Sequence, residues 1–108
     1  MRYKLIIGSP NDENVIQKVI NATAQAGAGR IGNYSRCAVI NPIKATWVAE
    51  KGANPNDGKI GEITTADCVW IETECTDKNL KEVYKAIKKV HPYEEPGIQI
   101  IKLEEISL

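Results

Sequence analysis

The spacing of apolar residues predicts two helices, and alternation predicts strands around them. Apolar residues recur at intervals of three and four over residues 15–23 and again over residues 80–90, the spacing of a helix with one buried face. The first segment, RYKLIIGS, alternates instead, so Tyr3, Leu5 and Ile7 fall on one face of a strand. A strand followed by a helix therefore opens the chain, and a second helix lies in its C-terminal third.

Capping residues indicate where each helix starts and stops. In SPND, Ser9 is a candidate N-cap and Pro10 fits the first helical turn, where its missing N–H is not needed. Glycines in AGAGRIG then end the first helix because they tolerate positive φ. Thr76 or Asp77 can cap the second helix, which should end near Pro92, since a proline disfavours helix in the residue before it.

The segments between and after the helices predict the remaining strands. YSRCAVI and KATWVAE have the composition of strands joined through Asn41 and Pro42, and EKGANPNDGKIGE, dense in turn residues, is a loop. ADCVWIETECT is the longest strand candidate, and PGIQIIKLE is the last. The order β-α-β-β-α-β predicts a ferredoxin-like α+β sandwich, with two helices on one face of an antiparallel sheet, as a single domain over residues 1–108.

The two tryptophans bear on how the other face of that sheet is covered. Along CVWIETEC, alternation places Trp70 on the face away from the helices, and Trp47 lies in a strand without evident helix cover. Aromatic surface of this kind usually marks a contact between subunits. The alternative is that both tryptophans are ordinary core residues.

The charge balance and the cysteines narrow the function classes. Fourteen basic residues offset fourteen acidic ones without long runs of one sign, so neither nucleic acid nor a membrane is an expected partner. No segment has the apolar length of a signal peptide or a membrane span, which favours a cytoplasmic protein. Three cysteines without a C-x-x-C pair favour reduced, packed thiols over a disulfide framework or a zinc finger.

Three motifs in order give the chain a family resemblance. GAGRIGNYSRC, KGANPNDGKIGE and HPYEEP together resemble the PII-like domain inserted into the Nif-three (Ngg-one-interacting-factor-three) family of dinuclear-metal hexamers, over roughly residues 5–103. HPYEEPGIQII is also similar to the matching corner of CutA, the divalent-cation-tolerance proteins, which share the ferredoxin-like plan and form trimers. Both resemblances imply the same fold.

The resemblance implies a stand-alone PII-like or CutA-like domain that forms a homotrimer or a higher oligomer. The family's two metals are bound by flanking core domains, for which 108 residues leave no room, so the dinuclear site is not carried over. Regulation or ligand sensing is the role that analogy with PII signalling proteins implies. Family members typically have histidine where this chain has Arg30, which favours an anion over a metal at that loop.

The glycine turn, GAGRIGNY at residues 27–34, is one candidate ligand site. Its glycines could present successive backbone N–H groups to an anion, with the arginine as a charged clamp. A tight passage from helix to strand would recruit the same glycines without any ligand. The candidate ligand-binding residues are Gly27, Gly29, Arg30, Gly32, Asn33, Tyr34 and, from HPYEEP, Tyr93.

The corner, HPYEEP at residues 91–96, contains the only histidine of the chain. Imidazole, carboxylate and thiolate groups could bind a divalent ion, so the candidate metal ligands are His91, Glu94, Glu95 and Cys37. A single histidine leaves such a site short of ligands unless several subunits contribute. As an acid or base His91 lacks an evident nucleophile partner, and two prolines by themselves explain a rigid corner or an interface.

These observations predict a non-catalytic, oligomeric binding or regulatory module. It would sense a small anionic ligand or a divalent metal ion at a subunit cleft where the corner meets the glycine turn. A structural oligomer, or one that binds a protein partner, is the alternative, and a metal-dependent hydrolase is the third candidate. No cofactor beyond that metal ion is assigned. In PII-like proteins the segment matching residues 50–62 contacts effectors or partners.

Overall fold

Two helices and four strands follow one another in the computed structural model, which describes residues 1–107. In chain order they are β1 (Arg2–Pro10), α1 (Glu13–Gln25), β2 (Val39–Val48), β3 (Ile63–Thr76), α2 (Asp77–Val90) and β4 (Ile98–Leu103). Within residues 1–107, neither helix is long and apolar enough to cross a membrane.

The four strands form one sheet in the order β2-β3-β1-β4, and every neighbouring pair is antiparallel. Strands β1 and β2 lie on either side of β3, while β3 and β4 lie on either side of β1. Both helices pack on one face of this sheet. This is the split β-α-β arrangement, so the predicted ferredoxin-like fold is confirmed.

The core lies between the helices and the face of the sheet that they cover. Alternate residues of β1 and β3 point into it, because successive side chains of a strand face opposite ways. Each helix contributes one apolar stripe. The buried cluster consists of Leu5, Ile7, Ile16, Val19, Ile20, Ala28, Val69, Ile71, Cys75, Val83 and Ile87.

Helix α1 begins later than the sequence signals predict. Asp12 is the N-cap, and its carboxylate accepts hydrogen bonds from the N–H groups of Asn14 at 2.9 Å and Val15 at 3.2 Å. Ser9 is buried in β1, where its hydroxyl donates to the carbonyl of Pro10. The prediction of Ser9 as cap and Pro10 in the first turn is wrong, because both residues continue the pairing of β1 with β3.

The boundaries of β2 and α2 follow from proline positions. The two strands predicted on either side of Asn41 and Pro42 form one strand, β2. Proline is tolerated there because β2 lies at the edge of the sheet. Helix α2 follows Thr76, whose side chain makes no capping hydrogen bond, and ends at Val90, close to the predicted end.

The β2–β3 hairpin extends beyond the rest of the sheet. Pairing of β3 with β1 stops at Cys68, whereas pairing with β2 continues from Lys44 opposite Asp67 to Val48 opposite Ile63. At ~3.3 Å per residue, this two-stranded extension is about 15 Å long. The molecule accordingly measures 52 × 24 × 22 Å along its principal axes.

The open face of the sheet, which the helices leave uncovered, carries ion pairs at one end and an aromatic residue towards the other. Nζ of Lys4 lies 2.5 Å from Oε1 of Glu72, and Nη2 of Arg2 lies 2.9 Å from Oε1 of Glu74. Trp70 is two residues along β3 from Glu72 and therefore shares this face. The prediction that Trp70 points away from the helices is confirmed.

Glycines at positive φ carry the chain out of α1 through the glycine turn. Gly29 and Gly32 have φ of 78° and 56°, where a residue with a Cβ is strained. A Cβ on Gly29 would lie 2.9 Å from the backbone nitrogen of Cys37 and 3.0 Å from its carbonyl oxygen, whereas one on Gly32 would meet nothing within 4 Å. Close approach of two backbone segments therefore requires glycine at position 29.

Gly29→Ala should lower the free energy of unfolding by more than ~2 kcal/mol, and the matched variant Gly32→Ala by about 1 kcal/mol. Only the first substitution adds a backbone clash to the cost of left-handed geometry. Urea denaturation of both variants measures the difference. Equal losses would show that the contact between residues 29 and 37 is not as tight as the structure has it.

Candidate functional site

The single histidine holds the corner against β1. His91 is 8% exposed and directly follows α2. Its Nδ1 accepts the N–H of Tyr93 at 3.0 Å, and its Nε2 lies 2.5 Å from the carbonyl oxygen of Gly8. Because a backbone N–H can only donate, Nδ1 is unprotonated, and Nε2–H donates to Gly8. Both ring nitrogens are thus used within the chain.

Neutral imidazole is the form that this packing stabilises. Burial lowers the pKa of His91 below the ordinary 6.5, although the hydrogen bond to the carbonyl of Gly8 acts in the opposite direction. A proton on Nδ1 would also face the N–H of Tyr93 and remove that hydrogen bond. The ring therefore offers neither a free lone pair for a metal ion nor a free nitrogen for proton transfer.

Tyr93 joins the corner to the hairpin extension. Its hydroxyl oxygen lies 3.7 Å from Sγ of Cys68, and its ring centroid lies 6.2 Å from that of Trp47. The ring centroid of His91 also lies 5.0 Å from that of Tyr93. Burial, followed by the contact with Cys68, raises the pKa of Tyr93, so its phenol stays protonated.

The loop between β2 and β3 is hydrogen-bonded to the corner. Oε1 of Glu94 accepts the N–H of Asn54 at 2.8 Å. The two ends of the loop also meet, since Ala49 pairs with Ile60 as an isolated bridge. The corner, the loop and the extension consequently lie side by side although they are distant in sequence.

These three segments surround a cleft of about 700 Å³, the aromatic cleft. Its walls include the rings of Trp47, Trp70 and Tyr93, and its volume is that of a typical small-molecule site. The charged residues that line it are Lys44, Glu50, Asp57, Glu94 and Glu95.

The glycine turn lies towards the other end of the sheet. The N–H of Gly29 donates to the carbonyl of Glu74, whereas His91 contacts Gly8, which pairs with Trp70. Glu74 and Trp70 are separated by ~13 Å along β3. One chain by itself does not form the predicted site where the corner meets the glycine turn, and only a neighbouring subunit could bring the two segments together.

Most N–H groups of the glycine turn are already hydrogen-bonded within the chain. The N–H groups of residues 27, 28, 29 and 31 each donate to a carbonyl of this chain. Arg30 is exposed, and its Nε donates to the carbonyl of Gly32. Asn33 is exposed, and Tyr34 is 73% exposed. The N–H groups of Gly27 and Gly29 are therefore not available to an anion, and a ligand role for the residues of the turn stays a prediction.

The four predicted metal ligands do not come together within the chain. Cys37 lines a separate cleft of about 170 Å³ beside the glycine turn, away from His91. Glu94 is bonded to the loop, and Glu95 is exposed at the aromatic cleft. Nowhere in residues 1–107 are three His, Cys, Asp or Glu side chains placed to share a metal ion. Metal binding between subunits stays a prediction.

The amino-acid pattern does not locate the aromatic cleft. Alternation gives the face on which Trp70 lies, but not which distant segment covers it. The available signal is that two of the three family-like motifs, KGANPNDGKIGE and HPYEEP, supply its loop and its corner. The loop and the corner come into contact because the hairpin extension has the right length, and the sequence pattern does not predict that length.

Comparison with known proteins gives the fold class and identifies similar sequences. No model of a known protein family matches the chain. The periplasmic divalent cation tolerance protein CutA from Archaeoglobus fulgidus is similar in structure, with a TM-score of 0.66 and 20% identity over 99% of this chain and 88% of that chain. The present fold is thus CutA-like within the ferredoxin-like class.

Two further proteins are similar in sequence as well. A GTP cyclohydrolase 1 type 2 homolog from Halalkalibacterium halodurans is 38% identical over 101 residues, covering 94% of this chain and 27% of that protein. A Bacillus cereus protein related to NIF3 has a TM-score of 0.81 and 30% identity over 96% of this chain and 26% of that chain. The chain thus resembles one domain of NIF3-related proteins and spans about a quarter of the length of these relatives.

The stability that His91 contributes should depend on pH. Its pKa is lowered in the folded state, so below about pH 6.5 the unfolded chain binds a proton that the folded chain does not, and stability falls as pH decreases. We expect wild type to be more stable than His91→Gln at pH ~7.5, with the gap narrowing towards pH ~5. Urea denaturation across this range measures the gap, and a constant gap would contradict the buried neutral imidazole.

Proposed function

We propose that this domain is a non-catalytic, oligomeric binding module whose small-molecule site is the aromatic cleft. The observation that carries the proposal is the convergence of the hairpin extension, its loop and the corner on one cavity of about 700 Å³. Sites for small molecules typically have such a volume and combine aromatic walls with a few polar groups.

The groups around the cleft suit binding better than chemistry. Both nitrogens of His91 are hydrogen-bonded within the chain, which leaves no nitrogen to accept a substrate proton. The raised pKa of Tyr93 keeps its hydroxyl neutral, so it is a poor nucleophile. These features support recognition without turnover.

Self-association is the second part of the proposal, and a homotrimer is the assembly that the CutA resemblance implies. On the open face, Val39 and Ile101 are 57% and 44% exposed. Strands β2 and β4 each have one side without a neighbouring strand in the chain as described. Further copies covering these surfaces would remove apolar area and edge N–H and C=O groups from water.

A protein partner is the second candidate, and the tip of the hairpin extension favours it. Val48, Ile60 and Ile63 are 41%, 53% and 78% exposed there. Apolar side chains grouped at the end of a projecting ribbon are typical of a contact surface. In this candidate the extension binds another protein, and the cleft is incidental.

Metal-dependent hydrolysis is the third candidate, and it rests on the name of the GTP cyclohydrolase 1 type 2 homologs. This chain matches about a quarter of that protein. The residues described do not fit a dinuclear centre, since no three potential ligands converge in residues 1–107 and His91 has no free nitrogen. No hydrolytic step is assigned to this domain.

Native mass spectrometry of freshly purified protein should detect an oligomer, with three subunits expected, that carries one small molecule per cleft. A preformed aromatic cleft retains a ligand that binds tightly enough to survive purification. Trp47→Leu should lose the small molecule and keep the subunit number, whereas the control Ile63→Ser at the tip should keep both.

Other results from native mass spectrometry would contradict parts of this proposal. A monomer under native conditions would overturn the oligomeric part. Bare oligomers that also show no thermal shift with a broad set of metabolites would favour the protein-binding candidate. Dissociation of the Trp47→Leu variant would show that this tryptophan serves assembly instead of ligand binding.

A further inference from the structure

We infer that the aromatic cleft binds a small organic cation, a quaternary ammonium or protonated amine attached to an apolar body. The inference rests on the proposed function, which places a small-molecule site in this cleft, and adds the chemical class of the ligand. It follows from the arrangement of the rings, from the charges that line the cleft and from the poor match to other ligand classes.

The rings form inclined walls suited to a rounded, charged head group. The planes of Trp47 and Tyr93 are inclined by 56°, with centroids 6.2 Å apart, and Trp70 lines the same cleft. The face of an aromatic ring attracts a cation, and indole does so most strongly. Inclined rings can contact such a cation from two directions, whereas a flat neutral ring would stack better between parallel walls.

The charged lining of the cleft is predominantly acidic. Its charged residues are one lysine, Lys44, and four acidic residues, Glu50, Asp57, Glu94 and Glu95. Within residues 1–107, none of these carboxylates forms an ion pair with a lysine or an arginine. Their combined negative potential attracts cations and opposes the entry of anions.

The negative potential also extends to the phenol of the cleft. The charge of Asp57 adds to burial and to the contact with Cys68 in raising the pKa of Tyr93. The neutral hydroxyl keeps an oxygen that can accept a hydrogen bond from a protonated amine. The cleft therefore combines ring faces with an acceptor and a negative margin.

Other ligand classes match these groups less well. A bare divalent metal ion needs several oxygen or nitrogen ligands at short range, and no three potential ligand side chains converge within residues 1–107. An anion would meet the acidic margin, and Lys44 is the one basic residue among those that line the cleft. An organic cation satisfies both the charge and the apolar walls.

Choline and its neutral isostere 3,3-dimethylbutan-1-ol provide a direct test. Both tryptophans of the chain line the cleft, so intrinsic fluorescence reports on binding there. We expect saturable quenching or a spectral shift with choline, and at least about tenfold weaker binding of the alcohol, because only the charge differs. Added salt should weaken the binding of choline.

Two charge variants locate the effect. Glu95→Gln removes a carboxylate at the cleft and should weaken choline binding several-fold, whereas Glu105→Gln, a matched change near the C-terminus and outside the cleft, should leave binding unchanged. Far-ultraviolet circular dichroism confirms that both variants fold. Equal effects of the two substitutions would contradict a local role of the acidic margin.

The failure of this inference is distinguishable from that of the proposed function. Equal binding of choline and the alcohol, or binding of inorganic phosphate in place of choline, would overturn the cationic class and leave a ligand site in the cleft. Inhibition of choline binding by magnesium chloride beyond that of sodium chloride at equal ionic strength would overturn the organic cation in favour of a metal ion. Absence of any choline response up to ~50 mM, far above useful affinities, would overturn the inference outright.

Discussion

His91 connects three parts of the chain that sequence separates: the end of α2, the carbonyl of Gly8 in β1 and the N–H of Tyr93. Because both ring nitrogens are engaged, the imidazole is a fixed spacer between the helix layer and the sheet. The position of Tyr93 against Trp47 follows from this attachment. The histidine that precedes two prolines and two carboxylates thus has a structural role at the cleft and not a catalytic one.

The two ends of the sheet have different chemistry. At one end the open face carries the ion pairs of Lys4 and Arg2, and the glycine turn nearby uses most of its N–H groups internally. At the other end the hairpin extension, its loop and the corner leave an aromatic cleft with an acidic margin. The net charge of the whole chain is zero, so a cation is favoured at the cleft only because acidic residues are concentrated there.

The sequence predicts the order of elements because period and capping are local properties. It places Leu5 and Ile7 on one face of β1, which the structure buries, and Trp70 on the open face. It fails at Ser9, where pairing with β3 overrides a local capping signal. It does not predict that Glu94 bonds to Asn54, 40 positions away in sequence, because such a contact depends on how far the hairpin projects. The residues of the corner are thus recognisable from sequence, and their roles are not.

The cleft depends on one role of the only histidine, that of a buried neutral spacer. A long-range ¹H–¹⁵N nuclear magnetic resonance spectrum of the imidazole tests it most directly, because the two nitrogen shifts report the site of protonation. We predict a single tautomer with hydrogen on Nε2, unprotonated at Nδ1 through pH 6.5 and unchanged by added divalent metal ions. Averaged tautomers that titrate with an ordinary pKa, or shifts moved by metal, would contradict it.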